Sequence, residues 1–293
     1  MAKQEVTQSR EVLVSNGTVT LNVTVHESQS RERVETVILL HGGPGVPDDF
    51  PFVVAALTPK YRVIHFEQRG LGKSSNPSGD YSMEAYIEDI EAIARHFQLD
   101  KFHLFGHSWG GLYAQIYADA HPERLTSLFL SSPSSGTNSL WQQTENEVLA
   151  YNQARCSSQW AFLTMGWYSL LGALGSDSAC QSLFLIVLDN YNRDYGQDAP
   201  VITQDHVRSV RADPVNKTRP NIVKYKALAK MENPSFPIMI TYGDTDIYGD
   251  SKAAVPLRYP TAKHIVIPKC GHLPWWHNPK AFQSILDQFY GTA

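Results

Sequence analysis

Cysteine is scarce in this chain, with Cys156, Cys180 and Cys270 alone among 293 residues. Their spacing matches no metal site, and an odd count argues against a disulfide framework. Buried free thiols are expected, with Cys156 and Cys180 pairing only if the chain is exported. Clustered positive charge is also missing. Lysine and arginine are scattered and the formal net charge is −4, which excludes the basic footprint of a nucleic-acid binder or of a protein held on anionic lipid. No run approaches the roughly 18 consecutive apolar residues that a membrane span requires. Met1 to Arg10 is polar and lacks the apolar stretch of a signal peptide, so a cytoplasmic location is expected. Internal repeats and low-complexity tracts are absent. So is any motif for a metal, nucleotide or flavin, because Gly42-Gly43-Pro44-Gly45 lacks the G-x-G-x-x-G spacing and is interrupted by proline. No cofactor is expected.

What is present is an ordinary globular composition, 42% hydrophobic and 18% charged. Single cores stop growing near about 250–300 residues, so this length suits one large domain or a domain with an insertion. Val12 to Val14 and Thr18 to Val25 alternate as half-buried antiparallel strands do, with Val19, Leu21, Val23 and Val25 on one face. Val37 to Leu40, Val63 to Phe66 and Phe102 to Phe105 are instead continuous apolar runs, the mark of strands covered on both faces. Ile87, Ile90, Ile93, Ala94 and Phe97 recur at helical spacing between them. Strand, helix, strand in this order predicts a parallel sheet. The pattern continues through a helix from Leu112 to Ala120, stopped by Pro122, and a strand at Leu128 to Leu130. It then breaks, and residues 133–233 are helix-like and aromatic-rich. Strand runs return at Pro237 to Tyr242 and His264 to Ile267, before a closing helix with Phe282, Ile285, Leu286 and Phe289. The expected architecture is α/β, with a core of residues 1–132 and 234–293 and a helical cap inserted at 133–233.

A serine hydroxyl is a weak nucleophile, so acyl transfer needs a base, a group that orients the base, and donors for the oxyanion. Gly106-His107-Ser108-Trp109-Gly110 follows the strand ending at Phe105 and opens a helix, the context in which a G-x-S-x-G turn exposes a strained serine. Ser108 is the candidate nucleophile, and His107 beside it should point away and pack in the sheet. His41-Gly42-Gly43-Pro44-Gly45 follows the strand Val37 to Leu40. Residues without side chains let the backbone approach a ligand, so the N–H groups of Gly43 and Trp109 are the candidate oxyanion donors. In this architecture the order is serine, acid, histidine. His272, in the turn between last strand and last helix, is the candidate base, His277 the fallback, and His264 a structural strand residue. The acid should follow the strand ending at Tyr242, where Asp244 and Asp246 both stand; three residues beyond Gly243 favours Asp246. Trp275 and Trp276 are candidate lining residues, with a core role as the alternative.

Together these motifs resemble the α/β-hydrolase superfamily over essentially the whole chain. His41 to Gly45 and Gln68-Arg69-Gly70-Leu71-Gly72-Lys73-Ser74 are similar to the proline iminopeptidase group, with Glu67 where that group has aspartate. The resemblance implies Asp246 as the acid. It also implies glutamates that hold a substrate's free amine, one of them in some members directly after the acid. Here Ile247 stands in that place, and the cap segment Arg211 to Asn216 shows no Asn-Glu-Phe motif. Glu145, Glu147 and Glu232 are candidate substitutes, or else solvated charges. Serine at 108 excludes the aspartate-dependent dehalogenase and epoxide hydrolase chemistries of this superfamily. The expected activity is hydrolysis of a small ester, amide or short peptide through an acyl-enzyme. A prolyl aminopeptidase and a non-catalytic ligand-binding protein of the same fold are the alternatives.

Overall fold

The computed structural model of the chain describes residues 9–30, 34–195 and 203–292. Most of the Met1–Arg10 stretch, and residues 196–202 of the expected insertion, lie outside the described residues. Eight strands are described: β1 (Ser9–Asn16), β2 (Val19–His26), β3 (Thr36–Leu40), β4 (Arg62–Phe66), β5 (Phe102–His107), β6 (Leu125–Ser131), β7 (Ile238–Gly243) and β8 (Lys263–Ile267). They form one sheet in the order β1-β2-β4-β3-β5-β6-β7-β8. β1 pairs antiparallel with β2, and β2 with β4; every other pairing is parallel. The two alternating segments at the start are thus the antiparallel edge, and the continuous apolar runs are the parallel centre.

Period-2 geometry explains those runs. Ile38, Leu40, Leu104, Leu128 and Leu130 face one core, where they meet Ile90 and Ile93 of α2 (Met83–His96) and Tyr113 and Tyr117 of α3 (Trp109–Ala120). The residues between them, Val37, Leu39, Phe105 and Phe129, face a second core with Val53 and Leu57 of α1 (Pro51–Leu57). Strands buried on both faces are therefore mostly apolar, and polar residues buried among them find partners, as His103 and Ser127 do in each other at 2.7 Å.

Between β6 and β7 run α4 (Ser139–Arg155), α5 (Gln159–Ala173), α6 (Asp177–Asn192), α7 (Gln204–Ser209) and α8 (Ala212–Lys224). Ser158, Ser176 and Thr203 start three of them by accepting the N–H groups of Ala161, Ala179 and His206, donors that a helix start cannot otherwise satisfy. After β7 come α9 (Ala254–Arg258), α10 (Pro274–His277) and α11 (Pro279–Tyr290). Phe282 and Leu286 of α11 complete the second core. Cys156, Cys180 and Cys270 are free thiols. No helix among the described residues is long and apolar enough to cross a membrane. The loops that leave the carboxyl ends of β3, β5, β7 and β8 emerge along one edge of the sheet, the usual position of a site in an open α/β sheet.

Candidate active site

Ser108 sits between β5 and α3 with φ 57° and ψ −122°, a backbone conformation that a residue with a side chain adopts only under constraint. Hydrogen bonds impose it. Its N–H donates to Ser131 O at 3.1 Å, and its carbonyl accepts from Gly111, Leu112 and Ser134 N–H groups at 2.9, 3.2 and 3.0 Å. The flanking glycines permit the turn, since a Cβ on Gly106 would lie 2.2 Å from Gly110 O, and one on Gly110 would lie 2.1 Å from Leu40 O. Trp109 is the first residue of α3, where backbone N–H groups have no acceptor within the helix.

His272 enters from the loop after β8. Its Nε2 lies 2.9 Å from Ser108 Oγ and its Nδ1 lies 3.0 Å from Asp246 Oδ1. An ionised carboxylate only accepts, so Nδ1 carries the proton and Nε2 is left to accept from Ser108. Burial opposes the charge on Asp246, but the adjacent His272 imidazole prevails and holds its carboxyl below the ordinary aspartate range. Asp244 takes a different part. Its carboxylate accepts the N–H groups of Lys269 and Cys270 at 2.8 and 3.0 Å and so shapes the loop that carries His272. These backbone bonds, that of Cys270 foremost, also lower its pKa.

The other histidines separate cleanly. His107 is buried and turns from Ser108 Oγ, donating from Nε2 to His272 O at 2.9 Å. His277 accepts the Gly271 N–H on Nδ1 at 3.1 Å and donates from Nε2 to Asn192 at 2.9 Å. His264 lies exposed at the start of β8. The loop after β3 lies against the serine, where a Cβ on Gly42 would be 3.3 Å from Ser108 Cβ. Gly43 has φ 114°, a value that side chains resist. Gln68 fixes this corner by donating to His41 O and accepting from the Trp109 indole, each at 2.9 Å. The glutamine of the Gln68-Arg69-Gly70 motif therefore ties the glycine loop to the first residue of α3. Arg69 holds Asp89 of α2 at 2.8 Å through both Nε and Nη2, and both side chains are buried.

Ser108 and His272 open onto a cavity of about 670 Å³. Its floor includes Gly42, Gly43, Pro44 and Asp48; its opposite wall is Val148, Leu183, Phe184, Val187, Leu188 and Tyr191, with Trp276 at the side. Among the described residues no lysine or arginine lines it, and its carboxylates are Asp48 and Asp49. Burial pushes the Asp48 carboxyl up to about 7, Asp49 adding to the rise against the Phe50 N–H. A second concavity of about 620 Å³, between Pro51, Phe52 and Gln283, also contains Asp287 and Thr292 among its lining residues, the Thr292 hydroxyl donating to the Asp287 carboxylate at 2.7 Å, and it contains no histidine or cysteine among its described lining residues.

Of the two tryptophans, Trp275 takes the core role that stood as the alternative to lining the cavity. It is buried in the second core, its ring centroid 5.5 Å from Phe50 and 4.6 Å from His107, while Trp276, turned about 100° further round the short α10, lines the cavity. The three candidate glutamates are also committed elsewhere. Glu145 pairs with Arg219 at 2.5 Å and Glu232 with Lys230 at 2.9 Å. Glu147 accepts from Gly249 N, Ser251 N and Ser251 Oγ at 2.9, 3.0 and 2.5 Å. Sequence reasoning passed over Tyr248, whose hydroxyl lies 3.1 Å from Ser108 Oγ and 2.7 Å from Ser134 Oγ. Its one local signal is a tyrosine two residues after Asp246.

Comparison with known proteins places these observations. A family model for the alpha/beta hydrolase fold matches residues 35–279. The chain is 39% identical over 127 residues to a proline iminopeptidase of Lactobacillus helveticus (strain DPC 4571), which is 41% of this chain and 43% of that protein. At that identity the chain spans less than half the length of its relative. To a proline iminopeptidase of Lactobacillus delbrueckii subsp. bulgaricus it is 26% identical over 275 residues, covering 86% of this chain and 88% of the relative. Among solved structures, a carboxylesterase from Bacillus subtilis superposes with a TM-score of 0.66 at 14% identity, covering 96% of this chain and 91% of its own.

Proposed function

We propose, since this chain belongs to the alpha/beta hydrolase fold family and is a hydrolase, that it cleaves small apolar esters or amides through an acyl-enzyme on Ser108. The reading rests on the hydrogen-bonded line from Asp246 through His272 to Ser108 at the edge of an apolar cavity. Ser108 Oγ attacks the substrate carbonyl carbon as its proton passes to His272 Nε2. Asp246 holds the imidazole in the tautomer that can accept and stabilises the imidazolium that results. The backbone N–H groups of Gly43 and Trp109 face the oxygen that becomes negative. His272 then protonates the leaving group, and water repeats the sequence to release the acid and restore the serine. Residues 133–233 act as a cap, supplying the wall of α4 and α6 side chains that selects the acyl group, while residues 1–132 and 234–293 form the core.

Ser108→Ala tests the reading directly. Hydrolysis of a p-nitrophenyl ester should fall by at least ~10⁴-fold and fluorophosphonate labelling should vanish. Continued turnover by a folded variant would refute it.

One observation favours a narrower reading, the release of an N-terminal residue with a free amine. Asp48 and Asp49 are the carboxylates of a cavity with no lysine or arginine among its described lining residues, and the relatives named above are proline iminopeptidases. Against it stand Ile247 and the engagement of Glu145, Glu147 and Glu232 elsewhere. A proline p-nitroanilide compared with its N-blocked form separates the two readings, because only an amine-directed enzyme prefers the free form strongly.

A further inference from the structure

Tyr248 reaches Ser108 from behind the cavity. It follows Asp246 by two residues, is buried, and is absent from the cavity lining. Its hydroxyl stands between Ser108 Oγ at 3.1 Å and Ser134 Oγ at 2.7 Å, and its ring centroid is 5.2 Å from that of His272. Glu147 of α4 fixes the loop just beyond it by accepting Gly249 N, Ser251 N and Ser251 Oγ.

The protons in this cluster can be assigned by elimination. Ser108 has one hydroxyl proton, which points to His272 Nε2 when the imidazole is the acceptor. Ser108 Oγ can then only accept from Tyr248, and Tyr248, having spent its proton, can only accept from Ser134. The hydrogen bonds therefore run in one direction, Ser134 to Tyr248 to Ser108 to His272. Burial keeps the phenol far above its ordinary pKa, so it stays a neutral donor across the working range.

We propose that Tyr248 is a further catalytic residue, whose O–H stabilises negative charge on Ser108 Oγ as that oxygen bonds to and later leaves the acyl carbon. The inference rests on Ser108 being the nucleophile. In acylation the Oγ–H bond breaks, its proton passes through His272 to the leaving group, the Oγ–C bond forms and the carbonyl carbon's bond to the leaving group breaks; in deacylation water gives a proton to His272 as its oxygen bonds to that carbon, the Oγ–C bond breaks, and His272 passes that proton to Oγ. Tyr248 keeps its own proton throughout. Its hydrogen bond is strongest where Oγ carries charge and weakest in the acyl-enzyme, where Oγ is an ester oxygen of low basicity. Hydrogen bonds to charged oxygen exceed those to neutral oxygen, so the bond favours the transition states over the ground states.

Tyr248→Phe keeps the ring and deletes the donor. It should lower kcat and kcat/KM together by about 10-fold with KM unchanged, the pattern of an interaction that strengthens between ground state and transition state. Fluorophosphonate labelling, which needs the Ser108 attack alone, should slow by the same factor. A purely structural tyrosine would move neither value in a chain whose thermal unfolding is unaltered. Ser134→Ala, which removes the donor to Tyr248, should slow labelling about 3-fold and carries the test if Tyr248→Phe does not fold. Labelling by a folded Tyr248→Phe, or failing that by Ser134→Ala, at or above the native rate overturns the proposal. Turnover surviving Ser108→Ala would instead remove the reading on which it rests, so the two failures are distinct.

Discussion

His277 and Tyr195 lie ring on ring, 3.7 Å between centroids and 12° from coplanar. His277 stands at the end of α10 and accepts the Gly271 N–H next to His272, while its other nitrogen donates to Asn192 at the end of α6. The loop carrying the proposed base is thus held by the same inserted helices that line the cavity. His277→Phe retains the stack and loses the Gly271 and Asn192 hydrogen bonds together with a longer one from Leu273 N at 3.4 Å. A loosened His272 loop should lower kcat about 10-fold through misplacement of the base, while the lost bonds, at roughly 0.5–1.5 kcal/mol each, lower Tm without unfolding the chain. Turnover and melting measured together check this, and an unchanged kcat would mean that the His272 loop holds its own geometry.

Glu147 offers a second coupling between insertion and site. It reads in the sequence as one more charge on a polar helix, yet three bonds from the loop after Tyr248 converge on its carboxylate. Burial works against the charge, but the Ser251 and Gly249 donors outweigh it and the pKa falls below the ordinary glutamate value. A carboxylate lowered on folding stabilises above its unfolded pKa and loses that contribution as pH falls through the folded value. Glu147→Ala should therefore cost stability at pH 7, by no more than about 1 kcal/mol once solvent screening of this half-exposed carboxylate is allowed for, and the cost should shrink as pH falls and the carboxylate protonates, as read from urea midpoints at neutral and acid pH. An equal loss at both would assign the effect to packing.

How much of this was legible in the chain follows from the range of each signal. The elbow around Ser108 was legible because its glycines, strand and helix are neighbours in sequence. Chain order, which topology dictates once the sheet is recognised, points to His272 and narrows the acid to Asp244 or Asp246, between which spacing from Gly243 and the family resemblance favour Asp246. Tyr248 was not, because its contact with Ser108 exists only where the loop after β7 passes the end of β5. Trp275 and Trp276 show a different limit. A single helical turn carries no periodicity, so no pattern could tell that one faces the core and the other the cavity.

Buried histidines should make the fold sensitive to mild acid. Burial lowers His41 and His277 to about 4 and His107 to about 3. Each has a folded pKa below its unfolded value of 6.5, so between pH 6.5 and 4 the unfolded chain binds the protons that the native chain refuses. Stability must then fall as pH falls, with a slope approaching ~1.4 kcal/mol per unit for each histidine. Urea midpoints at pH 7.5, 6, 5 and 4.5 should decline steadily, and His107→Gln should flatten the curve. A constant midpoint down to pH 4.5 would contradict neutral burial of these rings.

Asp48 acts in the same pH window with the opposite sign. Its folded pKa of about 7 stands above the unfolded 3.8, so the native chain holds a proton that the unfolded chain releases, and this group weakens the fold as pH rises toward 7. Asp48→Asn should therefore raise stability at pH 8 relative to pH 5. The activity consequence is sharper. Above about pH 7 the cavity presents a carboxylate among apolar walls, a favourable contact for an ammonium group and a neutral one for an uncharged acyl chain. If the enzyme recognises a free amine, kcat/KM for proline p-nitroanilide should rise through pH 7 more steeply than for a neutral ester. Asp48→Asn should then increase KM for the amine substrate about 10-fold and leave the ester within about 2-fold, the loss expected for one charge-assisted hydrogen bond. Parallel losses on both substrates would exclude Asp48 from amine recognition and return the preference to the neutral ester or amide.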